Sequence, residues 1–165
     1  MRSGMTVGLG ADDAGAELKN QLVRELSGLP GITVRDFGVA GADDAEPYPQ
    51  VGLRVAEAVA RQDLDRAILV CGTGIGMAIT ANKVPGVRAT VAYDAYSVER
   101  SVLSNNCQVL TLGARVIAPH LASAIVRQWL SLSFDEGSPS AAKLAVLAAY
   151  ENGEHSLSSD SAPAC

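Results

Sequence analysis

Metal-ligating and disulfide-forming residues are scarce in this chain. Its 165 residues include three cysteines and two histidines. Cys71, Cys107 and Cys165 are far apart, odd in number and in no Cys-x-x-Cys pair, which argues against a disulfide framework or an ordinary zinc site. His120 and His155 both fall in the last third with no second ligand at a useful spacing, so neither a metal nor any other cofactor is expected. Basic residues are also in the minority, 13 against 18 acidic, for a net charge of -5. Nucleic acid and anionic membrane surfaces need basic clusters, so neither is an expected partner. No apolar run approaches the ~20 residues that span a bilayer. The opening Met-Arg-Ser-Gly-Met-Thr-Val moves straight into a strand pattern instead of a signal core, and the expectation is a cytoplasmic protein. No internal repeat is present.

What the chain does have is a regular alternation of apolar runs and amphipathic stretches. Strands are predicted at Met5–Gly10, Ile32–Phe37, Ala67–Cys71, Val87–Tyr93 and Gln108–Gly113. Helices are predicted at Ala14–Leu26, Tyr48–Arg61, Ile75–Asn82, Ala95–Ser104 and Leu121–Ser131. Near-continuous apolar strands such as Ala67-Ile-Leu-Val fit a sheet covered on both faces, and the expected architecture is a three-layer α/β/α sandwich. A further helix, Ser140–Tyr150, follows the break at Asp135-Glu-Gly-Ser-Pro139 without a strand partner, and it suits packing on its own domain or on another subunit. One domain over residues 1–150 is expected, then a mobile polar tail over 151–165 that makes Cys165 a bystander.

The chemistry is expected at Cys71-Gly-Thr-Gly-Ile-Gly-Met77, where an apolar strand runs into a glycine-rich turn and then a helix. In open parallel sheets ligands bind outside the carboxyl ends of strands, where backbone N–H groups gather. A thiol there is stabilised as thiolate and can act as base or nucleophile, provided that substrate can reach the sulfur. Gly72, Gly74 and Gly76 have the spacing G-x-G-x-G, one residue short of the dinucleotide fingerprint, although Asp94 stands where a ribose-binding acid would. A nicotinamide-dependent oxidoreductase is therefore an alternative. Acyl transfer would want a histidine partner for Cys71. Proton abstraction beside a carbonyl needs only a base and donors for the enediolate oxygen.

Asp12 and Asp13 follow the first strand and lie on the same rim, as helix caps or as substrate ligands. Tyr48 opens the second helix beside Pro49. Arg88, Arg115 and Lys143 are candidate phosphate ligands, each also readable as a structural charge.

Taken together, these residues resemble the ribose-5-phosphate isomerase B family, which also contains the galactose-6-phosphate and allose-6-phosphate isomerases. The similarity extends from Val7 to about Tyr150. It rests on Gly10-Ala-Asp-Asp-Ala-Gly15, Tyr48-Pro49, the block from Cys71-Gly-Thr-Gly-Ile-Gly-Met to Asn82-Lys-Val-Pro-Gly-Val-Arg88, Tyr96-Ser97, and Asn105 through Gly113-Ala-Arg-Val-Ile117. The resemblance implies a Rossmann-like five-stranded domain, a homodimer with shared active sites or a dimer of such dimers, and metal-free aldose–ketose interconversion of a phosphosugar. By position, the family's proton-transferring cysteine falls on Cys71 and its anion-holding loop on Gly72, Thr73, Gly74, Ile75 and Gly76. Its substrate-binding acid and asparagine fall on Asp12 and Asn105, and a phosphate arginine on Arg115.

Four positions depart from the family pattern. Asp13 replaces the histidine of the first block, Ser104 replaces the ring-opening histidine, and two C-terminal phosphate arginines align with Pro139 and Lys143. Losing both histidines removes the groups suited to ring opening near neutral pH, and Lys143 lacks the guanidinium fork. Asp12, Asp13, Thr73 and Ser104 remain as candidate proton relays. A tetrose 4-phosphate has its 4-oxygen esterified, cannot close a furanose and needs no ring-opening group. The expected substrate pair is D-erythrulose 4-phosphate and D-erythrose 4-phosphate, with ribose 5-phosphate and ribulose 5-phosphate as the family default. Asp-Asp-Ala-Gly with Ser97-Val-Glu-Arg and Ser104-Asn105 resembles a distinct D-erythrulose-4-phosphate isomerase branch. A non-catalytic sugar-phosphate-binding protein remains the other alternative.

Overall fold

The computed structural model describes residues 4–44 and 46–154. The tail from residue 155, with His155 and Cys165, lies outside the described residues. Five strands, β1 (Met5–Ala11), β2 (Ile32–Asp36), β3 (Arg66–Cys71), β4 (Ala89–Val91) and β5 (Val109–Gly113), form one parallel sheet in the order β2-β1-β3-β5-β4. The helices are α1 (Ala16–Ser27), α2 (Tyr48–Ala60), α3 (Ile75–Ala81), α4 (Ala95–Leu103), α5 (Pro119–Ser131) and α6 (Pro139–Glu151). The three-layer reading of the sequence is therefore what the chain adopts, and the element boundaries carry the corrections.

Central β3 is buried along Ala67–Cys71 because helices cover both of its faces. On one face Leu18, Leu22 and Leu26 of α1 pack with Val98 and Val102 of α4 and with Ile125, Val126 and Trp129 of α5. On the other, Val51, Val55 and Val59 of α2 meet Met77 and Ala81 of α3. The apolar positions recur at helical spacing, so one stripe of each helix enters the core while the opposite side stays wet. Lys19 of α1 is fully buried, and its ammonium bonds Asp36 at the end of β2 at 2.7 Å. No helix among the described residues is long and apolar enough to cross a membrane.

Three local differences from the predicted elements have simple causes. The chain after β1 first makes a 3-10 turn, Asp13–Gly15, capped by the Asp12 carboxylate, so α1 begins at Ala16 and not at Ala14. The fourth strand is only Ala89–Val91, because β4 is an edge strand with β5 as its one neighbour. Residues on either side of it take other bonds: Arg88 N donates to Gln108 Oε1, and Tyr93 reaches across to the turn after β3. Helix α6 buries none of its residues fully and leaves Val146, Leu147 and Tyr150 exposed, so most of its apolar surface is left uncovered by its own domain.

Candidate active site

The connection from β1 leads to β2 on one side, while β3 lies on β1's other side, so a crevice opens between β1 and β3 at their carboxyl ends. Asp12 stands at one lip and Cys71 at the other. They are drawn together because the 3-10 turn lies directly on β3: a Cβ added to Gly15 would stand 2.4 Å from the Val70 carbonyl oxygen. Asp12 N donates to that carbonyl at 3.3 Å, and the Asp12 carboxylate accepts from Gly15 N at 3.0 Å. Burial raises the Asp12 carboxyl above its ordinary range, against the pull of the Gly15 bond, with Asp13 adding a smaller upward push and Arg115 a downward one.

Cys71 is only 5% exposed, which corrects the expectation of an open thiol at the mouth. Its Sγ accepts a hydrogen bond from Gly74 N at 3.1 Å. Gly74 reaches that position with a φ of 78°, in the left-handed region that a side chain resists. Thr73 is exposed, and its Oγ1 accepts from Ile75 N at 3.3 Å. Two N–H groups expected to hold a substrate oxygen thus have partners inside the turn. Gly72 leaves room for the Arg115 guanidinium, whose Nη1 lies 3.4 Å from a Cβ built there. Gly76 lies beneath the Tyr48 ring, 2.7 Å from a built Cβ. Arg115 and Tyr48 therefore frame the turn from the same chain, while Ile75 projects to solvent.

Other residues of the sequence reading lie elsewhere. Asp13 is exposed and borders a shallow depression along α1 with Glu17, Asn20 and Arg24, away from the sulfur. Ser104 and Asn105 follow the C-terminus of α4, which in a parallel β/α unit is the amino end of the sheet, opposite Cys71. Asn106 and Cys107 line a cavity there with Met5, Asp65 and Arg66. Lys143 is exposed on α6, and α6 is tied to the same end, where Gly86 N donates to Glu151 at 2.9 Å. A single chain brings Asp12, Tyr48, Gly72–Gly76 and Arg115 to Cys71, but not Asp13, Ser104, Asn105 or Lys143. Arg88 bonds the Asn105 and Asn106 carbonyls and is a structural cation. Asp94 caps α4 by accepting from Ser97 N at 2.8 Å, a structural role that accounts for an acid at this position. Burial pushes the Cys107 thiol up to about 11, leaving it protonated.

A family model described as Ribose/Galactose Isomerase matches residues 7–147. The chain belongs to the ribose/galactose isomerase family. It is 52% identical over 144 residues to D-erythrulose-4-phosphate isomerase 2 of Mycolicibacterium smegmatis, covering 87% of this chain and 95% of that one. It is 44% identical over 133 residues to ribose-5-P isomerase B of Listeria innocua, covering 81% and 88%. The solved structure of ribose-5-phosphate isomerase B from Clostridium thermocellum superposes with a TM-score of 0.85 at 39% identity, covering 92% of this chain and 100% of that one. The chain is thus an enzyme, an isomerase of the sugar-phosphate class, and the oxidoreductase and non-catalytic alternatives fall away.

One residue of this family member's site went unnoticed in the sequence. Tyr93, expected as a strand residue, donates its hydroxyl to the Thr73 carbonyl at 2.5 Å. Burial raises its phenol above the usual value, against a Gly113 N–H bond, and the Cys71 charge adds to the rise. Periodicity carries no signal for such a contact, since residues 73 and 93 meet only across the sheet.

Proposed function

We propose that this isomerase interconverts D-erythrulose 4-phosphate and D-erythrose 4-phosphate, with Cys71 moving the proton in a site completed by a second copy of the chain. The observation that carries the chemistry is the Sγ of Cys71, held by the Gly74 N–H at 3.1 Å in the turn that Arg115 and Tyr48 frame. The thiolate removes a proton from C1 of the ketose, giving an enediolate across C1 and C2. The same proton returns to C2 while the O1 proton passes to O2, so no oxidant or reductant is consumed. Arg115 supplies a planar fork for the phosphate, and the proton transfer requires C1 of the substrate to reach a sulfur that the single chain leaves nearly buried.

The tetrose assignment draws support from two sides. Ser104 stands where a ring-opening imidazole would, and a tetrose 4-phosphate has no furanose to open. The Mycolicibacterium smegmatis relative also carries that substrate in its name. The dimer is supported by α6, whose apolar residues lie uncovered, and by Ser104, Asn105 and Lys143, which sit at the far end of their own sheet. Packing on a partner covers the first and lends the others to the partner's Cys71. A cytoplasmic activity is in keeping with substrates that are phosphorylated and do not cross membranes. The test is kcat/KM on erythrose 4-phosphate against ribose 5-phosphate. A clear tetrose preference is expected, and Ser104→His should then favour the pentose selectively. Preference for the pentose in the unmodified enzyme defeats the assignment.

A further inference from the structure

Tyr93, Thr73, Gly74 and Cys71 form a relay through a single peptide group. The Tyr93 hydroxyl donates to the Thr73 carbonyl at 2.5 Å, and the N–H on the other side of that same peptide bond, Gly74's, donates to Cys71 Sγ at 3.1 Å. A bond accepted at a carbonyl both orients the peptide plane and polarises its N–H, since consecutive hydrogen bonds strengthen one another. The neighbouring backbone is shaped around this peptide. Gly113 has no Cβ, and one built there would lie 2.6 Å from Thr73 Cα and carbonyl carbon.

We propose that Tyr93 is a positioning residue for Cys71: its hydroxyl clamps the Thr73 carbonyl, aims the Gly74 N–H at the sulfur and so stabilises the thiolate. The phenol suits the task because burial and the Cys71 charge both favour its protonated, donating form. The ionisable groups on the elements that frame the turn are Asp12 after β1, Arg115 after β5 and Tyr48 at the start of α2, with Asp13 next to Asp12 in the chain but facing out along α1. Helix α3, Ile75–Ala81, contributes no ionisable side chain. None of these touches the Thr73 carbonyl, so removing the Tyr93 hydroxyl perturbs the relay and leaves the charges in place.

This inference rests on Cys71 as the proton-transfer group, and its test separates the two. Tyr93→Phe keeps the ring and deletes the donor. Iodoacetamide labelling against pH, with the labelled cysteine identified by peptide mass mapping, reports Cys71 apart from Cys107 and Cys165. The midpoint for Cys71 should rise by about half a unit to one unit, a three- to tenfold loss of thiolate below it. The acidic limb of kcat/KM on erythrose 4-phosphate should move by the same amount, with activity recovering toward high pH. An active Tyr93→Phe enzyme with both profiles unmoved overturns the role of Tyr93 alone. Full turnover after Cys71 is alkylated overturns the catalytic reading instead. A second measurement needs no variant: in the unmodified enzyme the Gly74 amide resonance should titrate with the Cys71 labelling midpoint, and an amide that ignores it overturns the relay.

Discussion

Replacing Gly113 with alanine should disable this enzyme by displacing the backbone of the turn, without removing any side chain of the site. Gly113 ends β5 beside the turn after β3, and a Cβ there would lie 2.6 Å from Thr73 Cα and carbonyl carbon and 2.8 Å from its oxygen. All three are backbone atoms, so no side chain can swing aside. Restoring a contact of 3.4 Å requires Thr73 to retreat by about 0.8 Å, and the Gly74 N–H moves with it. Overpacking of this kind costs about 1–3 kcal/mol, which in a domain of this size lowers Tm by roughly 2–4 °C per kcal/mol. A displacement near 1 Å in a catalytic array costs about a hundredfold in rate. Thermal unfolding and steady-state kinetics read the two effects separately. Gly72→Ala is the contrast, because its Cβ meets only the end of the Arg115 side chain at 3.4 Å. That change should raise KM for the phosphosugar and leave Tm nearly unchanged. A Gly113→Ala enzyme that loses stability yet keeps its kcat would refute the claim that the Thr73–Gly74 peptide holds the sulfur for catalysis.

Cys71→Ser should lower kcat by about a hundredfold or more, the low end for acid–base catalysis, with a modest change in KM; near-normal turnover removes Cys71 from the mechanism. Cys71→Ser and Asn105→Ala, each impaired alone, should recover part of the unmodified turnover when mixed and allowed to exchange subunits, because the mixed dimer contains one intact site. Absence of recovery despite demonstrated exchange places Asn105 outside the partner's site. Asp12→Asn should raise Tm at neutral pH. The Asp12 carboxyl is raised chiefly by burial, so its contribution to stability is present in full below 3.8 and is lost as pH rises through the higher folded value. The asparagine's advantage should fade as pH falls toward 4, and an advantage that persists there contradicts a burial cost at Asp12.

Much of the fold was legible because the signals are periodic. Leu18, Leu22 and Leu26 repeat at helical spacing, and Ala67–Cys71 is apolar throughout, so α1 and β3 announce themselves. The edge strand β4 was overextended, since Val87–Tyr93 reads as apolar while only three of its residues find a ladder partner. In the site, the glycine-rich turn and Cys71 were readable as a pattern. Tyr93 was not, because its role depends on a bond across twenty residues of chain. Asp13 looked equivalent to its neighbour Asp12, yet the 3-10 turn directs one toward β3 and the other toward the outside of α1.

By itself the sequence determined which segments become strands and helices, which turn carries the thiol and to which family the chain belongs, because those follow from local spacing and contiguous motifs. Only the tertiary structure decided that Cys71 lies nearly buried with its sulfur on the Gly74 N–H, and that Ser104, Asn105 and Lys143 stand at the wrong end of the sheet to serve their own chain's cysteine. Strand order and the direction of each crossover set those distances, and both come from packing among residues far apart along the chain.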